Sequence, residues 1–110
     1  MKKPYDKPRK FERFKAKVDV ISKIESEPKT FQTRDISEGG LCLLTETPPF
    51  VGEILTLVIY LDSDSKIDTK AEVVWRHQGV GCGLRFFKLT ARERESLHKY
   101  LQKVSTTKED

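Results

Sequence analysis

The chain has 110 residues, of which 36% are apolar and 35% are charged. This length and composition predict one domain with a modest core. No apolar run approaches the roughly 20 residues of a membrane-spanning helix, and residues 1–13 lack the apolar segment of a secretory signal. These features exclude a membrane span and favour a cytoplasmic protein.

The net charge of +4 is unevenly distributed along the chain. Residues 1–17 carry eight Lys or Arg and two acidic residues, whereas the other 93 residues carry 13 basic and 15 acidic ones. Domains that bind duplex nucleic acid usually carry basic residues over a whole face, so we expect no duplex binding. The basic segment suits a few phosphates, an acidic partner surface or a solvated tail.

Residues 1–13 are predicted to form a flexible basic arm, because Pro4 and Pro8 disfavour a helix there. A first strand follows, in which apolar side chains recur at every second position, at Phe14, Ala16, Val18 and Val20. Ile21 breaks the alternation and indicates a bulge. In a second strand, Asp35 is predicted to share a face with Thr33, and Arg34 to lie on the opposite face.

Four further strands are predicted at residues 41–45, 54–61, 67–76 and 80–86. The second of these is apolar on both faces and is therefore expected to be a central strand. In the next one, alternation places Trp75 on the face of Val73, and Arg76 on the opposite face as a solvated cation. The last two strands are predicted to form a hairpin.

One helix is predicted, at residues 90–104, and a polar tail follows at residues 105–110. Thr90 and Glu93 have the spacing of a capping box, and apolar residues follow at helical spacing, at Leu97, Tyr100, Leu101 and Val104. Six short strands within residues 14–89 and one terminal helix predict a mainly β protein. The expected fold is a six-stranded antiparallel β-barrel with the helix across one opening or face.

Catalysis is poorly supported by the sequence. His77 and His98 have no Ser, Cys or carboxylate partner at a recognisable spacing, and no phosphate-binding loop or metal-ligand cluster is found. Cys42 and Cys82 are expected to be small buried hydrophobic residues. The sequence therefore predicts a binding protein with no cofactor, and not an enzyme.

Two groups of residues have the chemistry of a binding site. Arg9 and Arg13 lie four residues apart, and in an extended chain such a pair spans up to about 14 Å, so that each guanidinium can hold a different oxyanion. Asp35, Ser37 and Gly40 follow a strand. Their types suit a tight turn, but a carboxylate also accepts the paired N–H donors of a guanine, and a hydroxyl bonds a phosphate or a base edge.

The order and spacing of Arg9-xxx-Arg13 and Asp35-x-Ser37-xx-Gly40 resemble the two-part signature of PilZ domains, bacterial receptors for cyclic di-GMP. The segments Val73–Arg76 and Gly79–Phe86 are similar to the last strand pair of that family. The resemblance covers nearly the whole chain. It implies a six-stranded barrel that binds cyclic di-GMP on its outer surface, with the arginine arm folding over the nucleotide.

The resemblance also implies roles for individual residues. Arg9 and Arg13 would contact phosphates and the O6/N7 edge of guanine, Asp35 and Ser37 would recognise the base, and Gly40 would keep the approach clear. Trp75 is either an aromatic of the core or the barrel mouth, or a stacking partner for a purine. Ordering of the arm by the ligand would create a surface for an unidentified effector protein.

Two other functions fit the same sequence. One is a partner-binding barrel of this fold that binds no nucleotide, with the arm as a docking peptide. The other is a small barrel that binds single-stranded nucleic acid through the arm and exposed aromatic side chains, although the acidic balance of the remaining chain disfavours it.

Overall fold

The computed structural model describes residues 13–24, 27–62 and 65–105. Within them the elements are β1 Phe14–Lys15, β2 Asp19–Ile24, β3 Glu27–Ile36, β4 Gly40–Leu44, β5 Ile54–Asp62, β6 Ser65–His77, β7 Gly81–Phe86 and α1 Ala91–Ser105. Strands β2 to β7 close a barrel in the order β3-β2-β5-β6-β7-β4 and back to β3, and every pair is antiparallel. The predicted fold is confirmed.

The predicted first strand is divided into β1 and β2, which pair with different parts of β3. Residues 16–18 leave the ladder between them. There the Thr33 amide still donates to the Val18 carbonyl at 3.2 Å, and the buried Thr33 hydroxyl adds two bonds, donating to the Ala16 carbonyl at 2.6 Å and accepting from the Val18 amide at 3.0 Å. Ile21 stays paired on both sides, so the predicted bulge at Ile21 is wrong.

Two bulges set the orientation of the side chains that matter most here. The pairing register shifts between Thr33 and Asp35 in β3, and between Val73 and Trp75 in β6. Because one extra residue in a strand interrupts the alternation of its two faces, Asp35 and Trp75 leave the inward face that Thr33 and Val73 occupy. The prediction that each pair shares a face is therefore wrong.

The core lies inside the barrel and is formed by alternate residues of its strands. On β5, for example, Leu57 and Ile59 are fully buried, whereas Ile54 is 56% and Tyr60 40% exposed. The strand lies between β2 and β6, as expected for a central strand, but only its inner face is buried. The outer wall of a closed barrel contacts solvent unless another element covers it, which leaves these two outward side chains exposed.

The helix covers one end of the barrel, where Leu97 and Leu101 join the core. Its predicted capping box is confirmed, because the Glu93 amide donates to the Thr90 hydroxyl at 3.1 Å and the Thr90 amide donates to the Glu93 carboxylate at 2.9 Å. Helix α1 runs through Ser105, one residue beyond the predicted end. Among the described residues, no helix has the length and apolar character needed to cross a membrane.

Arg76 lies near the other end of the barrel. Its guanidinium donates to the carbonyls of Pro48 and Pro49 at 3.0 and 3.2 Å and lies 4.5 Å from the centre of the Phe50 ring. Arg76 therefore fixes the connection between β4 and β5. The prediction of a simple solvated cation is wrong, because backbone carbonyls and an aromatic ring replace much of its water.

Candidate functional site

The strand registers align five residues across the outer wall of the barrel. They are Trp75 on β6, Gly83 on β7, Cys42 on β4, Asp35 on β3 and Lys15 on β1. We call this set the outer row. Three strand intervals of about 4.8 Å separate Trp75 on β6 from Asp35 on β3, a path of roughly 14 Å around the curved wall of the barrel.

Trp75 forms one end of the outer row. Gly83 lies directly opposite on β7, between Cys82 and Leu84, which point into the core. A Cβ at Gly83 would overlap the Trp75 indole, so the ring packs on the outward side of that glycine. Of the two roles considered for Trp75, the structure excludes the core aromatic and leaves a half-buried ring on the outer wall.

Asp35 lies between two arginines near the other end of the row. Arg13 Nη1 is 3.6 Å from Oδ1 of the carboxylate, and Arg34 Nε donates to Oδ2 at 3.0 Å. The Asp35 side chain is 13% exposed, and among the described residues Oδ1 has no hydrogen-bond donor within reach. The predicted sites Arg13 and Asp35 are thus brought together by the fold.

Arg34 was not expected in this cluster, because regular alternation would place it on the face opposite to Asp35. The bulge puts both side chains on the outside of the barrel. The hydrogen bond that Arg34 donates to the Asp35 carboxylate raises the pKa of Arg34. The adjacent Arg-Asp pair is visible in the sequence, but its geometry depends on a register shift that local sequence does not specify.

Ser37 and Gly40 belong to the turn between β3 and β4. The Ser37 hydroxyl accepts from the amides of Gly39 and Gly40, both at 3.2 Å, and the Ser37 amide donates to the Gly40 carbonyl at 2.8 Å. Both residues are buried. A Cβ at Gly40 would overlap the carbonyl oxygen of Leu84. The turn-forming role of Ser37 is confirmed, two residues after Asp35, whereas Gly40 begins β4 without a positive φ and is required by the close approach of the Leu84 carbonyl.

This turn also contacts the helix. His98 Nδ1 of α1 lies 3.3 Å from a carboxylate oxygen of Glu38. No spacing in the sequence indicates this partner of His98, because Glu38 lies 60 residues away and is brought near only by the fold. The contact ties the turn next to Asp35 to helix α1.

Both cysteines are free and buried, as expected. Burial raises the pKa of Cys42, although the nearby Arg34 guanidinium opposes the shift, and burial raises the pKa of Cys82 to about 11. The two thiols lie on opposite sides of the barrel wall: Cys82 points into the core, and Cys42 belongs to the outer row. Protonated thiols are poor nucleophiles, so neither supports catalysis at neutral pH.

Arg9 and the rest of residues 1–12 lie outside the described residues, as do residues 106–110. Of the predicted site, the structure places Arg13 beside Asp35 on the outer surface of the barrel, with Ser37 and Gly40 directly after Asp35 and with Trp75 on the outer surface three strands away. This arrangement combines cationic donors, a carboxylate acceptor and an aromatic surface. Such a set suits an anionic ligand that carries a planar, hydrogen-bonding base.

Comparison with known structures gives several similar folds. MotI/DgrA, an inhibitor of motility from Bacillus subtilis, is 23% identical with a TM-score of 0.82, covering 94% of this chain and 54% of that one. The PilZ domain of YcgR from Escherichia coli, solved with c-di-GMP, is 15% identical with a TM-score of 0.76, covering 90% and 92%. The complex of K. pneumonia MrkH with c-di-GMP is 19% identical with a TM-score of 0.79, covering 92% and 54%.

The chain thus spans about half the length of MotI and MrkH. A comparison with curated protein sequences finds no significant match. A profile of the PilZ domain, in contrast, matches residues 7–103. These residues include both parts of the two-part signature, the whole barrel and most of helix α1. The chain belongs to the PilZ domain family.

Proposed function

We propose that this protein is a receptor for cyclic di-GMP and binds it on the outer row. The observation that carries the proposal is the 3.6 Å contact between Arg13 and Asp35, which joins the two separate sequence motifs at one place on the barrel. Membership of the PilZ family supports the ligand, as do the cyclic di-GMP complexes of the similar YcgR and MrkH.

The charges of the site match the ligand. Cyclic di-GMP has two phosphodiester groups and two guanines, so a guanidinium can bond either a phosphate or the O6/N7 edge of a base. We assign these contacts to Arg13 and Arg9. In an extended chain four residues span up to about 14 Å, so Arg9 is within reach of the outer row. Asp35 would accept from the N–H donors of a guanine.

The remaining site residues support this binding mode. Trp75 offers a ring on which a purine can stack, an interaction worth about 1 to 3 kcal/mol per base. Ser37 and Gly40 hold the turn that follows Asp35 and thereby fix the carboxylate, while the buried position of Gly40 limits any direct contact with the ligand. The site acts by recognition, and the proposed function includes no catalytic step.

Signal transmission is the second part of the proposal. The ligand would draw the arm of residues 1–13 onto the outer row, because only the docked arm makes the arginine contacts. The docked arm would then be recognised by an effector protein. Hydrogen exchange of residues 5–15, with and without cyclic di-GMP, tests this step: we expect slower exchange with ligand, and unchanged exchange under saturating ligand would refute it.

Calorimetric titration with cyclic di-GMP tests the receptor itself. Removing a charge-assisted contact costs about 1.5 to 3 kcal/mol, so Arg13→Ala and Asp35→Ala should each weaken binding roughly ten- to 150-fold. Arg92→Ala removes an exposed cation on α1 and serves as the matched control, with affinity unchanged. Absence of wild-type binding, or full affinity in the Asp35 variant, would overturn the proposal.

A further inference from the structure

We propose that Arg34 is a third arginine of the ligand site, which holds Asp35 through its Nε and presents its terminal nitrogens to a phosphate of the bound ligand. The inference rests on the proposed function and extends it to a residue outside both sequence motifs. It would make Arg34 a determinant of ligand affinity, although the regular alternation of β3 would place Arg34 and Asp35 on opposite faces.

The bulge in β3 is the first observation behind the inference. Thr33 and Ile36 are both fully buried, so the two intervening residues, Arg34 and Asp35, both lie on the outer wall. In a regular strand one of them would point into the barrel. The extra residue therefore places a cation beside the carboxylate of the outer row.

The way Arg34 binds Asp35 leaves part of its guanidinium accessible. Nε donates to Oδ2 at 3.0 Å, and the guanidinium has four further N–H donors on its two terminal nitrogens. The side chain is 51% exposed, whereas that of Asp35 is 13% exposed. Arg34 is thus anchored at one edge and open to solvent at the other, as needed for contact with a second group.

The local charge balance also favours an anion. The carboxylate of Asp35 contacts Arg13 and Arg34, and Lys15 is paired with Asp35 in the register of β1 and β3, so these four residues carry three positive charges and one negative charge, a local excess of +2. Farther along the wall, Arg85 on β7 and Glu72 on β6 are paired with each other at 2.9 Å and cancel. A ligand with two phosphodiester charges would neutralise this excess.

Two substitutions distinguish contact with the ligand from a purely positioning role. Arg34→Gln keeps a hydrogen-bond donor near Asp35 but removes the charge, whereas Arg34→Lys keeps the charge but loses the planar fork. If Arg34 contacts a phosphate, Arg34→Gln should weaken cyclic di-GMP binding about tenfold and make the affinity less dependent on sodium chloride concentration, since one ionic contact is lost. Arg34→Lys should retain the salt dependence and part of the affinity.

The controls separate this inference from the receptor proposal. Arg92→Gln should leave both affinity and salt dependence unchanged, and thermal denaturation without ligand should show that the Arg34 variants are folded. If the wild type binds and Arg34→Gln binds equally well, or weakly but with the wild-type salt dependence, the third-arginine contact is wrong and the receptor proposal stands. If the wild type fails to bind cyclic di-GMP, both proposals fall.

Discussion

The indole of Trp75 packs against Gly83 in the space that a side chain at residue 83 would occupy. The two residues are directly paired across β6 and β7, and the bulge before Trp75 is what turns the ring toward this glycine. A flat backbone segment on one strand and an aromatic ring on its neighbour thus form one surface. The glycine is required by the ring above it, and not by its own backbone conformation.

Gly83→Ala should displace the indole and lower stability by about 1 to 3 kcal/mol, the usual cost of overpacking. Trp75 is the single tryptophan of the chain, so its fluorescence emission reports the displacement directly, and urea unfolding gives the stability. The double variant Gly83→Ala/Trp75→Ala removes the clash and should cost less than the sum of the two single variants. Unchanged emission and stability in Gly83→Ala would contradict the packing.

Cyclic di-GMP should quench or shift the fluorescence of Trp75, because the proposed binding mode stacks a guanine on the indole. A titration followed by emission should give the same affinity as calorimetry. Buffer without cyclic di-GMP and an equal concentration of a cyclic dinucleotide that lacks guanine serve as controls. Tight calorimetric binding with unaltered emission would place the base away from Trp75.

Thr33→Val should destabilise the protein by about 2 kcal/mol or more, since valine has a similar shape but cannot serve the buried amide and carbonyl that the hydroxyl bonds. Both bonds join β3 to the interruption between β1 and β2. Thr69→Val is the matched control, because the Thr69 hydroxyl has only a 3.5 Å contact with a neighbouring carbonyl. Equal stability of the two variants in urea unfolding would show that the Thr33 bonds contribute little.

Stability should fall at alkaline pH through Cys82, whose pKa burial raises from 9.0 to about 11. The folded state binds this proton more tightly than the unfolded state. The contribution is therefore complete below pH 9 and is lost as the pH rises toward 11, amounting to roughly 2 to 3 kcal/mol.

Urea unfolding at pH 8, 10 and 11 checks this, with Cys82→Ala as the comparison. The raised pKa of Tyr100 acts in the same direction in both proteins and cancels in the difference. The wild type should lose more stability than Cys82→Ala over this range. Parallel losses would show that Cys82 titrates at its ordinary pKa when folded.

Local signals in the sequence predicted the fold well where the deciding interactions are themselves local. The capping box of Thr90 and Glu93 involves residues three apart, and the strands of the barrel follow from alternation. The bulges at Arg34 and Val74 could not be predicted in this way. A register shift is decided by the partner strand, and the chain gives no local sign, such as a glycine or proline, at either position.

The same distinction applies to the site. The sequence itself shows the spacing of Arg13, Asp35, Ser37 and Gly40. The turn predicted after Asp35 is present. The cluster of Arg13, Arg34 and Asp35 requires β1, β3 and the bulge together. The sequence therefore indicated Arg13 and Asp35 as site residues, but not Arg34. The contact of Glu38 with His98 joins residues that lie far apart in the chain, and no spacing rule points to it.

The position of Cys42 between Leu41 and Leu43 shows how thin the boundary is between the core and the outer row. The two leucines fill the interior, while the thiol faces the wall that carries Asp35 and Trp75. One layer of hydrogen-bonded backbone therefore acts as a partition. Side chains on its outer side can therefore be exchanged without a compensating change in core volume.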